Sequence, residues 1–352
     1  MKPYGLMADL HLHNWQAFST VLDSGINSRL ASLHDEIDRC CEELHRVGGN
    51  VIYIAGDVFH VRGSIAPSVL NPTLDVIDLR INAGFEFRVL PGNHDLEGKH
   101  ATRIGSAITA LEGIGCKICS DSIAYATPGD QPVVAIPWHE NLKDLKAELE
   151  LYAARLPGSD ALIHAPIDGT LMGIPAHGLS PEYLAGLGFK RVFAGHYHHH
   201  KDFDNGVYSI GALSHHSWSD VGSKAGFLIV HPDTVEWRKA HTPEFIDLSA
   251  ANDETEAEIM AHGNFVRARV NDGSMKAVES MKAWMTKAGA KGVVVQVVKE
   301  PTKAREGAVV HTVRAGASIE ASIAAYIKGQ DFPNQEALQI ECQKVLSEVV
   351  EV

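Results

Sequence analysis

Five short segments of the chain carry side chains of the kinds that bind divalent metal ions. In order they are Asp9-Leu10-His11, Gly56-Asp57, Gly92-Asn93-His94-Asp95, His164 and Gly195-His196-Tyr197-His198. Carboxylate or amide oxygens combined with imidazole nitrogens are typical of transition-metal sites. A single Asp-x-His pair is common on surfaces, and Asn and Gly are common in turns, so no segment is informative alone. Together, the ordered set predicts a metal centre.

Each segment follows a predicted strand. The apolar run Val51–Ala55 ends at Gly56-Asp57, and the runs 85–90, 161–163 and 191–194 end in the same way before polar residues. Alternation along an extended chain would place Asp9 and His11 on one side. The Asp57 carboxylate follows a glycine that permits close approach, and its two oxygens can bridge two cations. Since ligands bind at the carboxyl ends of strands in α/β sheets, the segments are predicted to converge.

Apolar periodicity predicts the elements around these segments. Residues 27–47 have helical spacing, and Gly48-Gly49 offers a stop. The texture changes near residue 245, after which 265–270, 275–287 and 292–298 are predicted as strand, helix and strand. The tail is predicted as two short helices broken near 331–334. The expected domains are a large α/β domain (1–245), a small α+β domain (246–316) and a helical tail (317–352).

Composition limits the class of protein. Five cysteines are an odd number without a disulfide pattern, and Cys116 and Cys119 are expected to be buried thiols. The chain lacks a long apolar run and an apolar signal segment, which predicts a soluble cytoplasmic protein away from membranes. A net charge of −13 argues against a surface that grips nucleic acid throughout and favours a small-molecule enzyme. Bound cations would reverse that field locally, so the charge leaves the substrate open.

The five motifs, in this order, resemble those of the calcineurin-like metallophosphoesterase superfamily over residues 1–241. Within that span, 56–60, 136–138 and 164–169 resemble the SbcD family of DNA-repair nucleases more than the protein phosphatases. The resemblance implies an α/β sandwich of β-sheets flanked by helices, with a small C-terminal α+β cap. It also implies a two-metal DNA nuclease, exonuclease or endonuclease, that hydrolyses phosphodiesters with metal-activated water. Such a chain would be the nuclease subunit of an SbcCD-like complex in DNA repair and recombination.

The resemblance assigns roles residue by residue. Two metal ions are implied, with Asp57 bridging them, and the family favours Mn²⁺ where the ligands alone choose no particular transition metal. His94 resembles the histidine that aids departure of the leaving oxygen, with Asp95 available to orient its ring. His60 resembles the histidine that positions the substrate backbone, although a packing role is the alternative. The implied ligands are Asp9, His11, Asp57 and His198 for one metal, and Asp57, Asn93, His164 and His196 for the other.

Several further histidines lie close to these motifs. They are expected at the rim of the cleft or facing solvent, with contact to substrate or to a ligand as the alternative. His13 is the most ambiguous, because it continues the alternation of Asp9 and His11 and only the family spacing selects His11. The residues in question are His13, His199, His200, His215 and His216.

Partners and competing functions stay open at this point. The tail from Ala317 could dock on an SbcC-like ATPase or pack on its own domain, and a homodimer is possible. A phosphatase or small-molecule phosphodiesterase with the same metal site is the main alternative to a nuclease of DNA. A non-catalytic scaffold is disfavoured, because all seven ligand positions and His94 are filled.

Overall fold

A computed structural model describes residues 2–98, 105–126, 131–298, 319–329 and 334–350. The chain divides into two compact units, Met1–Val297 and Val298–Val352. The strands are β1 (Tyr4–Met7), β2 (Val51–Ala55), β3 (Glu86–Leu90), β4 (Lys117–Ile118), β5 (Ile123–Tyr125), β6 (Val133–Ile136), β7 (Asp160–His164), β8 (Arg191–Gly195), β9 (Lys201–Asp202), β10 (Val207–Ser209), β11 (Gly226–Val230), β12 (Val235–Lys239), β13 (Phe245–Asp247), β14 (Phe265–Val270) and β15 (Gly292–Val297). The helices are α1 (Ser28–Arg46), α2 (Pro67–Asn82), α3 (Leu142–Arg155), α4 (Pro181–Gly186), α5 (Glu254–Ala261), α6 (Met275–Lys287), α7 (Ile319–Gly329) and α8 (Gln335–Val350).

Two six-stranded mixed sheets form the main body of the first unit. The first has the order β12-β11-β1-β2-β3-β4 and the second β5-β6-β7-β8-β10-β9. In the first sheet β1 to β4 are parallel, and in the second β6, β7, β8 and β10 are parallel. Antiparallel strands β12, β11, β5 and β9 complete the edges. The strands predicted before the polar segments are therefore β2, β3, β7 and β8.

The two sheets pack face to face because their strands are apolar on both sides. Leu6, Tyr53 and Leu90 of the first sheet pack in one cluster with Leu162 and Phe193 of the second. The outer face of the first sheet is covered by α1 and α2, and that of the second by α3 and α4. The result is a four-layer arrangement, helices outside and two sheets inside. This confirms the predicted α/β sandwich of sheets flanked by helices.

Helix α1 shows how the local sequence sets an element. The Asn27 side chain caps it by accepting hydrogen bonds from the backbone N–H groups of Arg29 and Leu30. Leu33 and Ile37 lie on its buried face, and Gly48 ends it with a positive φ of 83°. The helix predicted over 27–47 is confirmed, and burying this face stabilises the fold by roughly 1.5–3 kcal/mol for each large apolar side chain.

A smaller parallel sheet follows the sandwich within the first unit. Its order is β13-β14-β15, and a small core of Ala261, Val266 and Met285 lies between this sheet and helices α5 and α6. The predicted strand, helix and strand correspond to β14, α6 and β15. The boundary that the sequence predicts near residue 245 lies between the sandwich and this sheet. That the two are separate domains stays a prediction.

The second unit contains α7 and α8, which match the two helices predicted for the tail, and residues 330–333 between them lie outside the described residues. All five cysteines are free thiols, and Cys116 and Cys119 are buried as expected. Among the described residues, no helix has the length and apolar character needed to cross a membrane.

A buried polar network joins the two sheets at the end opposite the metal-binding segments. The Asp160 carboxylate is fully buried and accepts hydrogen bonds from Arg191 Nε at 2.9 Å and Arg191 Nη2 at 2.6 Å. The hydroxyl of Tyr4, on β1 of the other sheet, donates to the same carboxylate at 2.8 Å. Burial penalises each of these groups unless all are paired, so the network holds the sheets in one relative position.

We expect Asp160→Ala to destabilise the protein by about 3–5 kcal/mol, because it leaves a buried guanidinium without its partner. Chemical denaturation followed by circular dichroism measures this loss. Asp233→Ala is the matched control, since the side chain of Asp233 is 92% exposed and lies 3.5 Å from Lys190. Its cost should stay below about 1 kcal/mol. Equal losses in the two variants would show that the network does not hold the sheets.

Candidate metal centre

All seven predicted ligand residues meet at one edge of the sandwich. Four follow strands of the first sheet, and three follow or end strands of the second, so the site lies where the carboxyl ends of both sheets open. Asp9 and His11 follow β1. The others are Asp57 after β2, Asn93 after β3, His164 at the end of β7, and His196 and His198 after β8.

The ligand residues form two clusters. Asp9, His11 and His198 can each offer an atom to one ion, and His11 Nε2 lies 3.2 Å from His198 Nε2. Asp57, His164 and His196 form the second cluster. Asn93 Oδ1 joins the second, at 3.2 Å from His164 Nε2 and 3.1 Å from His196 Nδ1.

Asp57 lies between the two clusters. Its Oδ2 atom is 3.6 Å from His11 Nε2 and 3.4 Å from His164 Nε2. Its Oδ1 accepts a hydrogen bond from the backbone N–H of His94 at 2.8 Å, which fixes the carboxylate. Gly92 makes room for it, because a Cβ there would stand 2.2 Å from Oδ1. The position is that of a shared ligand.

The nitrogen and oxygen atoms that face each other in these clusters carry lone pairs, which suit binding of cations. His198 Nδ1 donates to Asp220 and His164 Nδ1 donates to the Ala55 carbonyl, both at 2.8 Å. In those tautomers, which follow from the hydrogen-bond partners, each Nε2 carries a lone pair. His164 Nε2 then faces the side-chain oxygens of Asp57 and Asn93, which also carry lone pairs. Facing lone pairs repel unless a proton or a cation lies between them, so the site suits two cations.

The pKa values of His164 and Asp9 are shifted by burial and by neighbouring charge. Burial by itself would lower the pKa of His164, but the Asp57 carboxylate beside it raises the pKa to about 9. Burial raises the pKa of Asp9 to about 6. A proton on His164 compensates the carboxylates when no cation does. Metal binding must therefore displace that proton, and metal affinity falls as pH is lowered.

The backbone at the ligands is unusual. Asp9, His11, Asp57 and His196 have positive φ values of 50°, 44°, 53° and 99°. Such values are uncommon for residues other than glycine and concentrate at functional sites. The prediction that an extended segment brings Asp9 and His11 together was wrong in its cause, because β1 ends at Met7 and both residues are left-handed. Hydrogen bonds from Asp9 N to the Gly56 carbonyl and from His11 N to the Asp57 carbonyl hold this conformation.

The residues predicted to take part in catalysis lie beside the clusters. His60 Nδ1 is 3.3 Å from His11 Nδ1, and the rings of His60 and His94 stack with centroids 5.7 Å apart. His94 Nδ1 lies 2.8 Å from the backbone carbonyl of His60, to which it donates. His94, His60 and His11 together form a third group of nitrogen atoms within reach of one another.

Asp95 does not orient the His94 ring, contrary to expectation. Its buried carboxylate accepts hydrogen bonds from the backbone N–H groups of Val58, Phe59 and Gly92. Burial, with Asp57 nearby, raises the pKa of Asp95 to about 7. The carboxylate points down into the Asp57 loop rather than up to the cleft, and the His60 carbonyl fixes the ring instead. Asp95 therefore shapes the loop that carries the shared ligand.

Two contacts to the ligands were not predicted from the sequence, and a third, from His216, was predicted there only as the alternative. Asp220 accepts from His198 Nδ1 and also from the backbone N–H groups of His216 and Ser217. His216 Nε2 donates to the Asp9 carbonyl at 2.9 Å, and the Trp138 ring stacks on His196 with centroids 5.3 Å apart. The acidic residue ending Ser217-Trp218-Ser219-Asp220 was the available signal, because metal-bound histidines usually donate to a carboxylate or carbonyl.

The rim expected from the additional histidines is present only in part. His13, His199 and His200 are half-buried, as rim residues would be. His215 and His216 are only 3% and 4% exposed, so a solvent-facing position was wrong for both. Each ring is buried because it forms hydrogen bonds with nearby backbone groups. His215 Nδ1 accepts from Phe245 N at 3.0 Å, and His216 Nε2 donates to the Asp9 carbonyl.

Comparisons with known proteins give distant likenesses. No family model matches the chain. It is similar to exonuclease subunit 1 of Enterobacteria phage T4, with 24% identity over 147 residues that span 41% of this chain and 42% of that protein. Among solved structures, a dimetal phosphatase from Danio rerio aligns with a TM-score of 0.45 and 11% identity over 68% of this chain and 96% of that one. Nuclease MPE of Pseudomonas putida aligns with a TM-score of 0.31 and 15% identity, over 67% and 87% of the two chains.

We expect Asp57→Ala to abolish binding of both metals, because each cluster loses the carboxylate that it shares with the other. Elemental analysis of the purified protein measures the metal content per chain. Asp202→Ala, on short edge strand β9, is the control and should keep the metal content of the unchanged protein. Two metals per chain in Asp57→Ala would contradict the shared-ligand geometry.

Proposed function

We propose that this chain is a two-metal phosphodiesterase that hydrolyses DNA. The observation that carries the proposal is the position of the Asp57 carboxylate between two clusters of lone-pair donors. Sites of this kind occur where two cations act together on a phosphoryl group. The printed name of the phage relative, an exonuclease subunit, also supports a nuclease, although the match covers less than half of either chain.

The ligand residues fit two divalent ions of the transition series. Asp9, His11 and His198 would hold one ion, Asn93, His164 and His196 the other, and Asp57 both. Ca²⁺ and Mg²⁺ prefer ligands that are all oxygen, so the mixed oxygen and nitrogen ligands favour a transition metal. Among the transition metals, we assign Mn²⁺ on the motif resemblance. Bound ions would supply a nucleophilic oxygen at neutral pH and neutralise the charge of the phosphodiester.

The protein itself contributes orientation and a proton. Because His94 Nδ1 donates to the His60 carbonyl, the other ring nitrogen is free to carry a proton to the departing oxygen of the cleaved strand. His60 stacks against that ring and keeps it in place. Its own nitrogen faces His11, so His60 also limits the orientation of a ligand. We assign His94 as the general acid and His60 as the residue that positions ring and substrate.

A phosphatase or small-molecule phosphodiesterase is the second candidate, and the net charge of −13 favours it. The nuclease and the phosphatase differ in substrate and are separated by one assay. With Mn²⁺ present, we expect cleavage of end-labelled linear DNA and slow turnover of p-nitrophenyl phosphate. Fast turnover of the monoester with intact DNA would overturn the nuclease proposal and leave the phosphatase. Closed circular DNA in parallel distinguishes endonuclease from exonuclease action.

We expect His94→Ala to separate metal binding from catalysis. Metal content should be unchanged, because His94 is outside both ligand clusters that share Asp57, while the cleavage rate falls by roughly 10²–10⁴. His13→Ala is a matched control, since His13 lies half-buried at the rim. Metal analysis and rates measured across pH check both parts. A cleavage rate in His94→Ala equal to that of the unchanged chain at every pH would show that His94 only packs.

We further propose that the chain works on duplex DNA as a subunit of an SbcCD-like complex. Tight duplex binding needs several Lys or Arg contacts to phosphates, and the chain has 31 basic against 44 acidic residues. An ATPase partner resembling SbcC would supply that surface. The tail exposes two apolar side chains that a partner could cover, Leu338 and Ile340, which are 38% and 62% exposed. Because they are two positions apart on α8, they lie on different sides of the helix.

The docking proposal predicts the effect of two substitutions on α8. Leu338→Glu with Ile340→Glu should leave Mn²⁺-dependent cleavage of short single strands intact but abolish stimulation by the ATPase partner and ATP. Gln339→Glu, between them and also exposed, is the control that adds a negative charge without removing an apolar side chain, and it should respond normally. Removal of residues 317–352 should act like the double variant. A normal response from the truncated chain would end the docking proposal.

A further inference from the structure

A second cavity lies between the sandwich and the small parallel sheet. Its volume is about 370 Å³, within the range of small-molecule sites. Its walls come from the start of α1, the loop before it, the segment around Ser214 and the small sheet. None of the seven metal-ligand residues lines it. Neither the proposed metal centre nor the packing of the sandwich accounts for its chemistry.

Arg29 supplies a buried positive charge at this cavity. The residue is only 8% exposed, and among the described residues no carboxylate forms an ion pair with it. Its guanidinium donates one bond from Nη1 to the Ala17 carbonyl and two from Nη2 to the carbonyls of His215 and His216. A guanidinium has five N–H groups, so two are left over for another acceptor.

Burial of such a charge is costly without an anion. Burial lowers the pKa of Arg29 to about 10, with Asp220 acting against that shift from beyond ion-pair distance. The guanidinium is therefore still charged at neutral pH. Its remaining support comes from the faces of Trp15, Phe245 and Phe265, with ring centroids 5.0–5.4 Å away. These contacts hold the cation in place but do not neutralise it.

The rest of the wall also suits an anion that carries an apolar part. Lys291 adds a second cation, and no lining residue is acidic. Ser32 and Thr242 add hydroxyl groups. The Phe18 and Phe265 rings stack with centroids 5.0 Å apart, and Gly292 permits this, because a Cβ there would stand 2.2 Å from Phe18. The chain has a net charge of −13, yet this cavity is lined by two cations, hydroxyl groups and aromatic rings and by no acidic residue.

We infer that this cavity binds the phosphate group of a nucleotide, with the phosphate at Arg29 and Lys291 and the apolar part against Phe18 and Phe265. Guanidinium and ammonium groups are the usual phosphate partners in proteins, and aromatic rings contact sugars and bases. The cavity is next to the metal centre, since Arg29 bonds the carbonyl of His216 and the His216 ring bonds the carbonyl of Asp9. The phosphate comes either from a free nucleotide or from a strand held at the metal centre. Only the second source rests on the proposed nuclease function.

The test uses the full chain and two probes. Titration calorimetry with thymidine monophosphate, on protein kept in chelator, measures free nucleotide without a contribution from bound metals. Binding of a short 5′-phosphorylated thymidine oligonucleotide to the Mn²⁺-loaded His94→Ala variant measures the strand. Lys291→Glu is the test variant, and Lys287→Glu, an exposed lysine at the end of α6, is the charge-matched control. Thermal unfolding checks that both variants fold.

We expect Lys291→Glu to weaken binding of at least one probe by about tenfold or more, and Lys287→Glu to change neither beyond about twofold, because a charge-assisted contact is lost only in the first. Loss for thymidine monophosphate alone assigns the cavity to free nucleotide, and loss for the oligonucleotide assigns it to a strand. Arg29→Gln should reproduce the pattern where it folds. Equal effects of Lys291→Glu and Lys287→Glu, or none, would overturn the inference. A chain that binds thymidine monophosphate in this way but leaves DNA uncut would refute only the nuclease proposal.

Discussion

Repulsion among converging lone pairs is the constraint on which the rest of this structure depends. Donor atoms from both sheets come within 3.1–3.6 Å of one another at one open edge of the sandwich. Such an arrangement is stable only with positive charge in the middle, so the fold must hold these atoms against their mutual repulsion. Buried backbone bonds to Asp57 and Asp9 do this locally. At the opposite end, the Tyr4 hydroxyl on the first sheet donates to Asp160 on the second, whose charge is paired with Arg191, and this network joins the sheets that carry the ligands.

The local charge at the two candidate sites differs from the net charge of the chain. The chain as a whole is acidic, yet its two candidate sites treat charge in opposite ways: one gathers carboxylates and imidazoles that need cations, and the other presents Arg29 and Lys291 without acids. His216 lies between them, with its carbonyl bonded to Arg29 and its ring to the backbone of Asp9. A net charge therefore says little about what binds at any one place.

The strands and ligand positions could be predicted because they follow rules local in sequence. Apolar runs such as Val51–Ala55 are buried on both faces, and polar side chains after them must lie at the strand ends. The contacts that fix ligand orientation could not be predicted in the same way. Asp220 reaches His198 across 22 residues, and Asp95 turns to the backbone of Val58 and Phe59 because the Asp57 loop offers it N–H groups. The left-handed conformations of Asp9 and His11 likewise arise from hydrogen bonds to the next strand.

The distance along the chain between partners has a consequence for how the protein is made. Asp9 accepts hydrogen bonds from the backbone of His196, and His11 faces His198, each across 187 residues. A ribosome must therefore release most of the sandwich before the first ligands meet the last ones. Contacts this remote form late, after the loop-closure entropy of the intervening chain has been overcome. A nascent chain that ends before His196 and His198 therefore lacks the last ligands, and the two clusters are complete only once the sandwich has closed.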